Sequence, residues 1–156
     1  MRPTTDRVKE SIFDILGSMG GVGGLRVVDL FCGSGALGIE ALSRGAVHVT
    51  FVDADRDALA AAAANLEAVG LDRAAATFTR ASVPGWTVPQ VDLVLMDPPY
   101  AMADPEAVLA SVRAEIVVLE SRREPQIPEG WVVHRQRRYG STLVTVLTTD
   151  ISGEAS

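Results

Sequence analysis

Cysteine is almost missing from this chain of 156 residues, in which Cys32 is the only one. A single cysteine excludes an intrachain disulfide and a zinc site made of cysteines. Long hydrophobic runs are missing as well, because no apolar stretch approaches the roughly 18 residues that a membrane helix needs. Residues 1–6 also lack the apolar core of a signal peptide. We therefore expect a cytoplasmic protein without a metal centre.

Positive charge is scarce too. The chain has 14 lysines and arginines against 20 acidic residues, which gives a net charge of −6. Proteins that bind nucleic acids usually present a basic surface to the phosphates, so the net charge argues against such a partner unless the basic residues are clustered. With 47% hydrophobic residues, the composition is otherwise that of an ordinary globular protein. The length predicts one domain, residues 1–149, followed by a polar tail, 150–156.

The spacing of the apolar residues predicts alternating strands and helices. Short apolar runs indicate strands at residues 25–31, 47–52, 75–79, 91–96 and 116–119. Helical spacing and helix-start signals indicate helices at about 5–18, 36–43 and 56–69, and another that begins at Asp104-Pro105. Two β-rich runs, 131–136 and 141–148, indicate an antiparallel hairpin, and 80–90 is a loop. This order predicts an open α/β sheet of seven mostly parallel strands with helices on both faces.

A glycine-rich turn follows the first strand. Residues 33–38, Gly-Ser-Gly-Ala-Leu-Gly, satisfy the pattern G-x-G-x-x-G at a strand-to-helix junction. Such glycines let the backbone turn sharply and approach a ligand, and the start of the helix offers free N–H groups. The pattern fits NAD and S-adenosylmethionine equally, and a tight turn without a ligand also explains it. We expect a nucleoside cofactor to be bound by residues at this turn, namely Phe31, Gly33, Ser34 and Gly35, and by Asp97 further along the chain.

Acidic residues lie in or after the first two strands. Asp53 follows the second strand, where its carboxylate can accept hydrogen bonds from the ribose hydroxyls of a bound nucleoside. Asp29 lies inside the first strand, and its role stays open. It either contacts the cationic amino end of S-adenosylmethionine or remains a buried carboxylate that orients the glycine turn. Asp55 is interpreted as a helix cap, and Cys32 as a small core residue rather than a nucleophile.

The motif Asp97-Pro98-Pro99-Tyr100 follows a buried strand and indicates the chemistry. Its prolines fix an extended backbone without N–H groups, so the loop presents carboxylate and carbonyl acceptors beside an aromatic ring. The exocyclic amine of a nucleic-acid base is a weak nucleophile because its lone pair is delocalised. Hydrogen bonds to Asp97 and to the Pro98 carbonyl would direct that lone pair at a sulfonium methyl group, while Tyr100 stacks on the base. The motif therefore predicts an S-adenosylmethionine-dependent methyltransferase.

The sequence resembles the class I methyltransferases that modify amino groups and, among them, the RsmD family. The likeness spans nearly the whole chain and rests on RPTTDRV (2–8), DLFCGSGALG (29–38), EALSRGA (40–46), DPPY (97–100) and Tyr139-Gly140. It implies a Rossmann-like fold and methylation of the exocyclic amine of a guanine in bacterial small-subunit ribosomal RNA. It also implies that residues 1–18 form a helix and a segment over the cofactor. Within that segment, Thr4, Thr5 and Arg7 would cover the cofactor, and Arg2 and Arg7 would lie near the RNA.

Two features depart from the family pattern. An acidic residue that commonly holds the adenine amine after the third strand is replaced here by Ala81-Ser82. We therefore expect Ser82 or a backbone group to take that role. The family usually has a basic stretch before the Arg-Pro-Thr motif, whereas here Met1 stands directly before it. We expect either a truncated start or a reduced grip on RNA.

Several interpretations stay open. The arginines near both ends of the chain either gather into one basic patch or are solvated separately, and Glu120 either touches the substrate or caps its strand. We call residues 97–100 the acceptor loop. A methyltransferase for DNA adenine or another amine would carry the same acceptor loop. A non-catalytic module that binds S-adenosylmethionine or RNA is a further alternative, and the acceptor loop disfavours an NAD oxidoreductase. We expect a monomer, since the hairpin closes the edge of the sheet.

Overall fold

The computed structural model describes residues 5–83, 85–99 and 105–150. Its helices are α1 (Asp6–Ser18), α2 (Ala36–Ser43), α3 (Arg56–Ala68) and α4 (Pro105–Ser111), with a short 3₁₀ segment at Arg73–Ala75. Its strands are β1 (Arg26–Leu30), β2 (His48–Asp53), β3 (Ala76–Arg80), β4 (Leu93–Met96), β5 (Ile116–Ser121), β6 (Trp131–Tyr139) and β7 (Thr142–Thr149). None of the helices in these ranges is long and apolar enough to cross a membrane.

The seven strands form one sheet in the order β3-β2-β1-β4-β5-β7-β6. Neighbouring strands among β1 to β5 are parallel, whereas β7 runs antiparallel to both β5 and β6. Because β6 is thereby parallel to β5, its end at Tyr139 lies at the same edge as the carboxyl ends of β1 to β5. The strand order reverses between β1 and β4, and open α/β sheets bind ligands at such a switch point. The predicted mostly parallel sheet with a terminal antiparallel hairpin is confirmed.

Hydrophobic side chains cover both faces of the sheet. On one face, α1, α2 and α3 pack on the strands through fully buried residues such as Ile12, Leu66 and Phe51. On the other face, Val108 of α4 packs with Val88 of the β3–β4 connection against the strands. The predicted placement of helices on both faces is confirmed.

Helix α1 begins and ends where the sequence predicts. The Thr5 hydroxyl caps it by accepting a hydrogen bond from the Val8 N–H at 3.3 Å, and Asp6 adds a negative charge to the first turn. At the other end the Gly21 N–H donates to the Leu16 carbonyl, and Gly21 has a φ of +80° that favours glycine. The helix turns its apolar stripe inward, burying Val8, Ile12, Phe13, Ile15 and Leu16.

The hairpin differs most from the predicted boundaries. Strand β6 runs to Tyr139 rather than to residue 136, and its register shifts between Val133 and Arg135. It is an edge strand, and charged side chains on such strands discourage pairing with other chains. Those charges also interrupt the apolar alternation on which strand prediction depends. Between β3 and β4, the described residues form an irregular connection that contains no helix, as the predicted loop requires.

Gly38 allows α2 to pack directly on β2. A Cβ at this residue would lie 2.4 Å from Cε1 of Phe51 and 2.9 Å from Cγ1 of Val49, and both side chains are fully buried. We expect Gly38→Ala to lower the free energy of unfolding by about 1–3 kcal/mol through overpacking, as measured by urea denaturation.

Gly17→Ala is the matched control for that substitution. Gly17 also lies in a helix, but no heavy atom stands within 4 Å of its added Cβ. Alanine favours helix over glycine, so this variant should be as stable as the wild-type protein or slightly more stable. Equal losses in the two variants would contradict the role of Gly38 in helix–strand packing.

Candidate active site

Four acidic side chains meet at the carboxyl edge of the sheet. Asp29 of β1 pairs in register with Phe51 and Leu95, which belong to the core beneath α1, α2 and α3. Val118 of β5 pairs with Leu95 in turn. Strand side chains alternate between faces, so the residues two positions after Phe51, Leu95 and Val118 lie on the same face as Asp29. These residues are Asp53, Asp97 and Glu120. The negative charges of all three act on Asp29. The edge therefore holds a cluster of carboxylates that suits a cationic ligand.

The glycine turn wraps the end of β1 in a left-handed backbone. Phe31 has a φ of 57°, Gly33 of 54° and Gly35 of 84°. A positive φ is uncommon for a bulky residue such as Phe31, and such outliers concentrate at functional sites. Gly35 caps α2 without any side-chain hydrogen bond, so the first N–H groups of the helix are not capped by this residue. Three N–H groups of the turn and helix start, those of Gly33, Gly35 and Gly38, donate to Asp53, the Cys32 carbonyl and Asp29. Donation from the turn to a ligand stays a prediction.

Asp53 braces this turn from the neighbouring strand. Its Oδ2 accepts a hydrogen bond from the Gly33 N–H at 3.0 Å, and its Oδ1 accepts one from the Asp55 N–H at 2.9 Å. A carboxylate has about four acceptor positions, so two remain for a ligand. Asp55 caps α3 by accepting from the Asp57 N–H at 2.9 Å, as predicted. The interaction of Asp53 with ribose stays a prediction, but the structure places this carboxylate against the glycine turn.

Asn65 is a residue of this site that the sequence did not reveal. Its side-chain amide on α3 donates to the Ser34 carbonyl at 3.0 Å, so it fixes the glycine turn from the helix side. The contact joins residues that lie 31 positions apart. No local pattern marks such a partner, because a polar residue on an exposed helix surface is ordinary.

Asp29 is buried and orients the start of α2. It is only 2% exposed, and its Oδ2 accepts a hydrogen bond from the Gly38 N–H at 3.0 Å. Burial raises the pKa of Asp29 well above its ordinary value of 3.8, the Gly38 N–H opposes this rise, and the charges of Asp97, Glu120 and Asp53 add to it. Of the roles predicted for Asp29, the structure contains the loop-orienting one. Contact with a cationic amino group stays a prediction.

The raised pKa of Asp29 makes stability depend on pH. The folded protein favours the protonated carboxyl, so it binds more protons than the unfolded chain between the unfolded pKa and the raised folded pKa. The contribution of Asp29 to the free energy of unfolding is therefore largest below about pH 4 and falls as pH rises through that window. Asp29→Asn removes this titration while keeping an acceptor for Gly38. We expect the variant to gain stability relative to wild type as pH rises, in urea unfolding without cofactor.

Asp14→Asn serves as the control for that experiment because Asp14 is an exposed carboxylate on α1. Its difference from wild type should change little across the same pH range. A stability difference between Asp29→Asn and wild type that is constant with pH would contradict the assignment.

The acceptor loop leaves the sheet directly after β4. Asp97 is half-buried, Pro98 is buried and Pro99 is exposed. Met96 pairs with Leu30, so Asp97 follows β4 beside the end of β1, and its charge adds to the raised pKa of Asp29. Tyr100, predicted to stack on the base, lies outside the described residues, as do Arg2 and Thr4. The structure thus brings the start of the acceptor loop and the glycine turn to adjacent strands.

The other predicted residues are distributed around the same edge. Thr5 caps α1, and the Arg7 guanidinium lies 5.6 Å from the centroid of the Tyr139 ring. Ser82 is exposed after β3, and its carbonyl accepts from the Trp86 N–H. Its contact with the adenine stays a prediction. Glu120 is 3% exposed and belongs to the carboxylate cluster.

Cys32 does not contribute a nucleophile. It is buried beneath the glycine turn, and burial, with the nearby charges of Asp29 and Asp53, raises the pKa of its thiol. A thiol reacts as the thiolate, so this residue is held in its unreactive form. Within the described ranges, no group of three or more histidine, cysteine or acidic side chains is arranged to hold a metal ion.

The strand order, the glycine turn after β1 and the acceptor loop after β4 define a class I methyltransferase fold. Comparison with known proteins then gives the family: the profile described as "Conserved hypothetical protein 95" matches residues 1–148, and the chain belongs to this RsmD-like family. YlbH of Bacillus subtilis is 36% identical over 160 residues, which cover 93% of this chain and 86% of YlbH. Ribosomal RNA small subunit methyltransferase D of Escherichia coli K12 is 29% identical over 166 residues, covering 99% of this chain and 83% of that protein.

Solved structures agree with this assignment. The structure of yhhF from Escherichia coli matches with a TM-score of 0.83 and 28% identity, over 96% of this chain and 88% of that one. A Streptococcus pyogenes protein matches with a TM-score of 0.79 and 29% identity, over 92% and 96% of the two chains.

Proposed function

We propose that this protein transfers the methyl group of S-adenosylmethionine to the exocyclic amine of a guanine in small-subunit ribosomal RNA. The observation that carries the proposal is the adjacency of two loops at the switch point. The glycine turn after β1 and the acceptor loop at Asp97-Pro98 end neighbouring strands. A cofactor on the first loop would lie beside an amine on the second.

The residues at the first loop fit S-adenosylmethionine. A Cβ added at Gly35 would lie 2.9 Å from the Cβ of Ala62, so the turn packs directly against α3 with no room for a side chain. The carboxylates of Asp53 and Asp97 give the edge the negative potential that a cationic cofactor requires. When bound, S-adenosylmethionine supplies an electrophilic methyl group on a positively charged sulfur. In our proposal Asp53 accepts the ribose hydroxyls, and Phe31, Gly33, Ser34 and Ser82 line the pocket.

Asp97 and the Pro98 carbonyl hold the amine in this proposal. Each accepts one of its two N–H groups, so the nitrogen lone pair is withdrawn from the base and directed toward the cofactor. As methyl transfer places positive charge on that nitrogen, both hydrogen bonds strengthen, which lowers the barrier. Tyr100 then stacks on the base, which must leave its helix to enter the site. Thr4, Thr5 and Arg7 cover the cofactor from the start of the chain.

The ribosomal substrate is supported by the relatives. Proteins of Escherichia coli and Haemophilus influenzae that carry the name ribosomal RNA small subunit methyltransferase D are 29% and 32% identical to this chain, over 99% and 90% of its length. We extend that substrate to this chain, and with it a cytoplasmic location, where ribosomal subunits are found. We also propose that it acts as a monomer.

Comparing methyl transfer to two substrates tests the proposal. Wild-type protein is incubated with methyl-labelled S-adenosylmethionine and either small ribosomal subunits that lack the native guanine methylation or adenine-containing duplex DNA. Label in the subunit RNA but not in the DNA is the expected result. Label in the DNA alone would replace the proposed substrate by DNA adenine. Cofactor binding in calorimetry without transfer to either substrate would favour a non-catalytic module, and no cofactor binding would refute the methyltransferase proposal.

A further inference from the structure

Arginines from three separate segments share the edge of the sheet that holds the candidate active site. They are Arg7 on the first turn of α1, Arg122 and Arg123 directly after β5, and Arg137 and Arg138 near the end of β6. We call these five residues the arginine surface. The three segments come together because β6 is parallel to β5 and both end at the carboxyl edge.

Hydrogen bonds and one ring contact tie these segments together. Arg138 reaches across β7, and its Nη1 donates to the Arg122 carbonyl at 3.1 Å. The Arg7 guanidinium stands over the Tyr139 ring at 5.6 Å, and the Tyr139 hydroxyl is hydrogen-bonded to Ser11 of α1. The start of α1, the end of β6 and the segment after β5 therefore form one continuous surface.

The charges of this surface face solvent. All five arginines are exposed. The ion pairs found within the described ranges involve Lys9 and Arg44, and none of them neutralises Arg7, Arg137 or Arg138. These guanidinium groups are thus available to an anionic partner. The acidic residues next to the arginine surface in sequence are Asp6, which precedes Arg7, and Glu124, which follows Arg123.

The arginine surface lies close enough to the carboxylate cluster for a short stretch of RNA to contact both. Glu120 pairs in register with Val144, and Val144 pairs with Arg137. Two strand spacings separate Glu120 from Arg137, which is about 10 Å at roughly 4.8 Å per strand. Phosphates repeat about every 3.4 Å along one strand of a nucleic acid helix, so this distance corresponds to about three nucleotides.

Positive charge is concentrated at one part of the carboxyl edge. The chain as a whole carries a net charge of −6, yet five of its 14 lysines and arginines lie at the ends of β5 and β6 and the start of α1, beside the carboxylate cluster. Localised positive charge on an otherwise acidic protein directs a polyanion to one face and discourages binding elsewhere.

We propose that the arginine surface binds the phosphates that flank the target base. The inference rests on the proposed function and deepens it, because it assigns the binding of the RNA backbone to the start of α1, the end of β6 and the segment after β5. These contacts position the RNA and carry no base specificity.

Paired double substitutions test the surface. Arg137→Gln with Arg138→Gln removes two charges from it, whereas Arg26→Gln with Arg113→Gln removes two charges at the opposite edge, at the start of β1 and before β5. Binding of a fluorescein-labelled RNA hairpin is measured by anisotropy over a salt series. We expect the first variant to bind about tenfold more weakly, and its slope of log K against log salt to be smaller by about 1.5. The second variant should keep the wild-type slope.

A charge-retaining variant separates charge from fold. Arg137→Lys with Arg138→Lys should keep most of the salt slope, because lysine also neutralises phosphate. Equal slopes for the two glutamine variants would overturn the inference, and so would a lysine variant that loses as much as the glutamine variant. Wild-type binding of the RNA hairpin by the Arg137→Gln, Arg138→Gln variant, together with a raised KM for ribosomal subunits, would also overturn the inference. The arginines would then contact protein on the subunit.

The proposed function is judged by a different readout. If wild-type protein transfers methyl to subunits, but its binding of the RNA hairpin does not depend on Arg137 and Arg138, the arginine surface alone is refuted. Wild-type protein that transfers no methyl, but whose salt slope still depends on these arginines, would refute the proposed function and support the surface.

Discussion

Asp97→Ala is expected to lower kcat for methyl transfer by about 10²–10³-fold, because it removes an acceptor whose hydrogen bond strengthens in the transition state. The half-buried carboxylate follows β4 directly and belongs to the carboxylate cluster. Cofactor binding, measured by calorimetry, should change by less than tenfold, since the glycine turn and Asp53 are untouched. Single-turnover transfer to small ribosomal subunits gives the rate of the chemical step.

Asp92→Ala is the matched control for this loss. Asp92 precedes β4 at the opposite edge of the sheet, where its Oδ2 accepts a hydrogen bond from the Arg26 N–H at 2.8 Å. This variant should lose stability but retain its single-turnover rate once folded. Asp97→Asn keeps an acceptor oxygen and should fall between wild type and alanine. A rate for Asp97→Ala close to that of wild type would remove this residue from the catalytic site.

Asp53→Ala is expected to raise the Kd for S-adenosylmethionine by about 100-fold. Two hydrogen bonds from ribose hydroxyls to a carboxylate are worth about 1.5 kcal/mol each, and tenfold in Kd corresponds to about 1.4 kcal/mol. The substitution also removes the acceptor for the Gly33 N–H, so the glycine turn loses a brace on which the backbone donors depend. Calorimetric titration with the cofactor measures the change.

Asp55→Ala distinguishes that effect from a general loss of one carboxylate. Asp55 lies two residues away and caps α3, so its removal should cost about 1 kcal/mol of stability without changing the Kd. Its backbone N–H, which donates to Asp53, is retained. Similar Kd values for the two alanine variants would contradict the assignment of Asp53 to the ribose.

Much of the fold could be predicted because local signals agree with the tertiary structure. The central strands are buried on both faces and appear in the sequence as short apolar runs. Thr5 and Asp55 cap their helices as the sequence predicts. Strand β6 was predicted too short because Arg137 and Arg138 lie on an edge strand, where pairing with β7 and not apolar alternation makes the strand.

Residues of the candidate active site could be predicted only where several of them are consecutive in the sequence and form a motif. Residues 33–38 and 97–100 are consecutive in sequence, so their patterns identify two loops, and parallel strands bring these loops to one edge. Asn65 had no such signal, because its partner Ser34 lies 31 positions away. The hydrogen bond between Ser11 and Tyr139 spans 128 positions and depends on how α1 packs against the hairpin. Burial of Asp29 likewise depends on neighbouring elements, which is why two roles stayed open for it.

The most direct test of the central claim is the chemical identity of the product. Small ribosomal subunits lacking the native modification are methylated with labelled S-adenosylmethionine, and their RNA is digested to nucleosides for mass spectrometry. We predict that the label is found in guanosine methylated on its exocyclic amine and is lost with Asp97→Ala. Label in another nucleoside, in ribosomal protein, or at an equal level with Asp97→Ala would contradict the proposed chemistry.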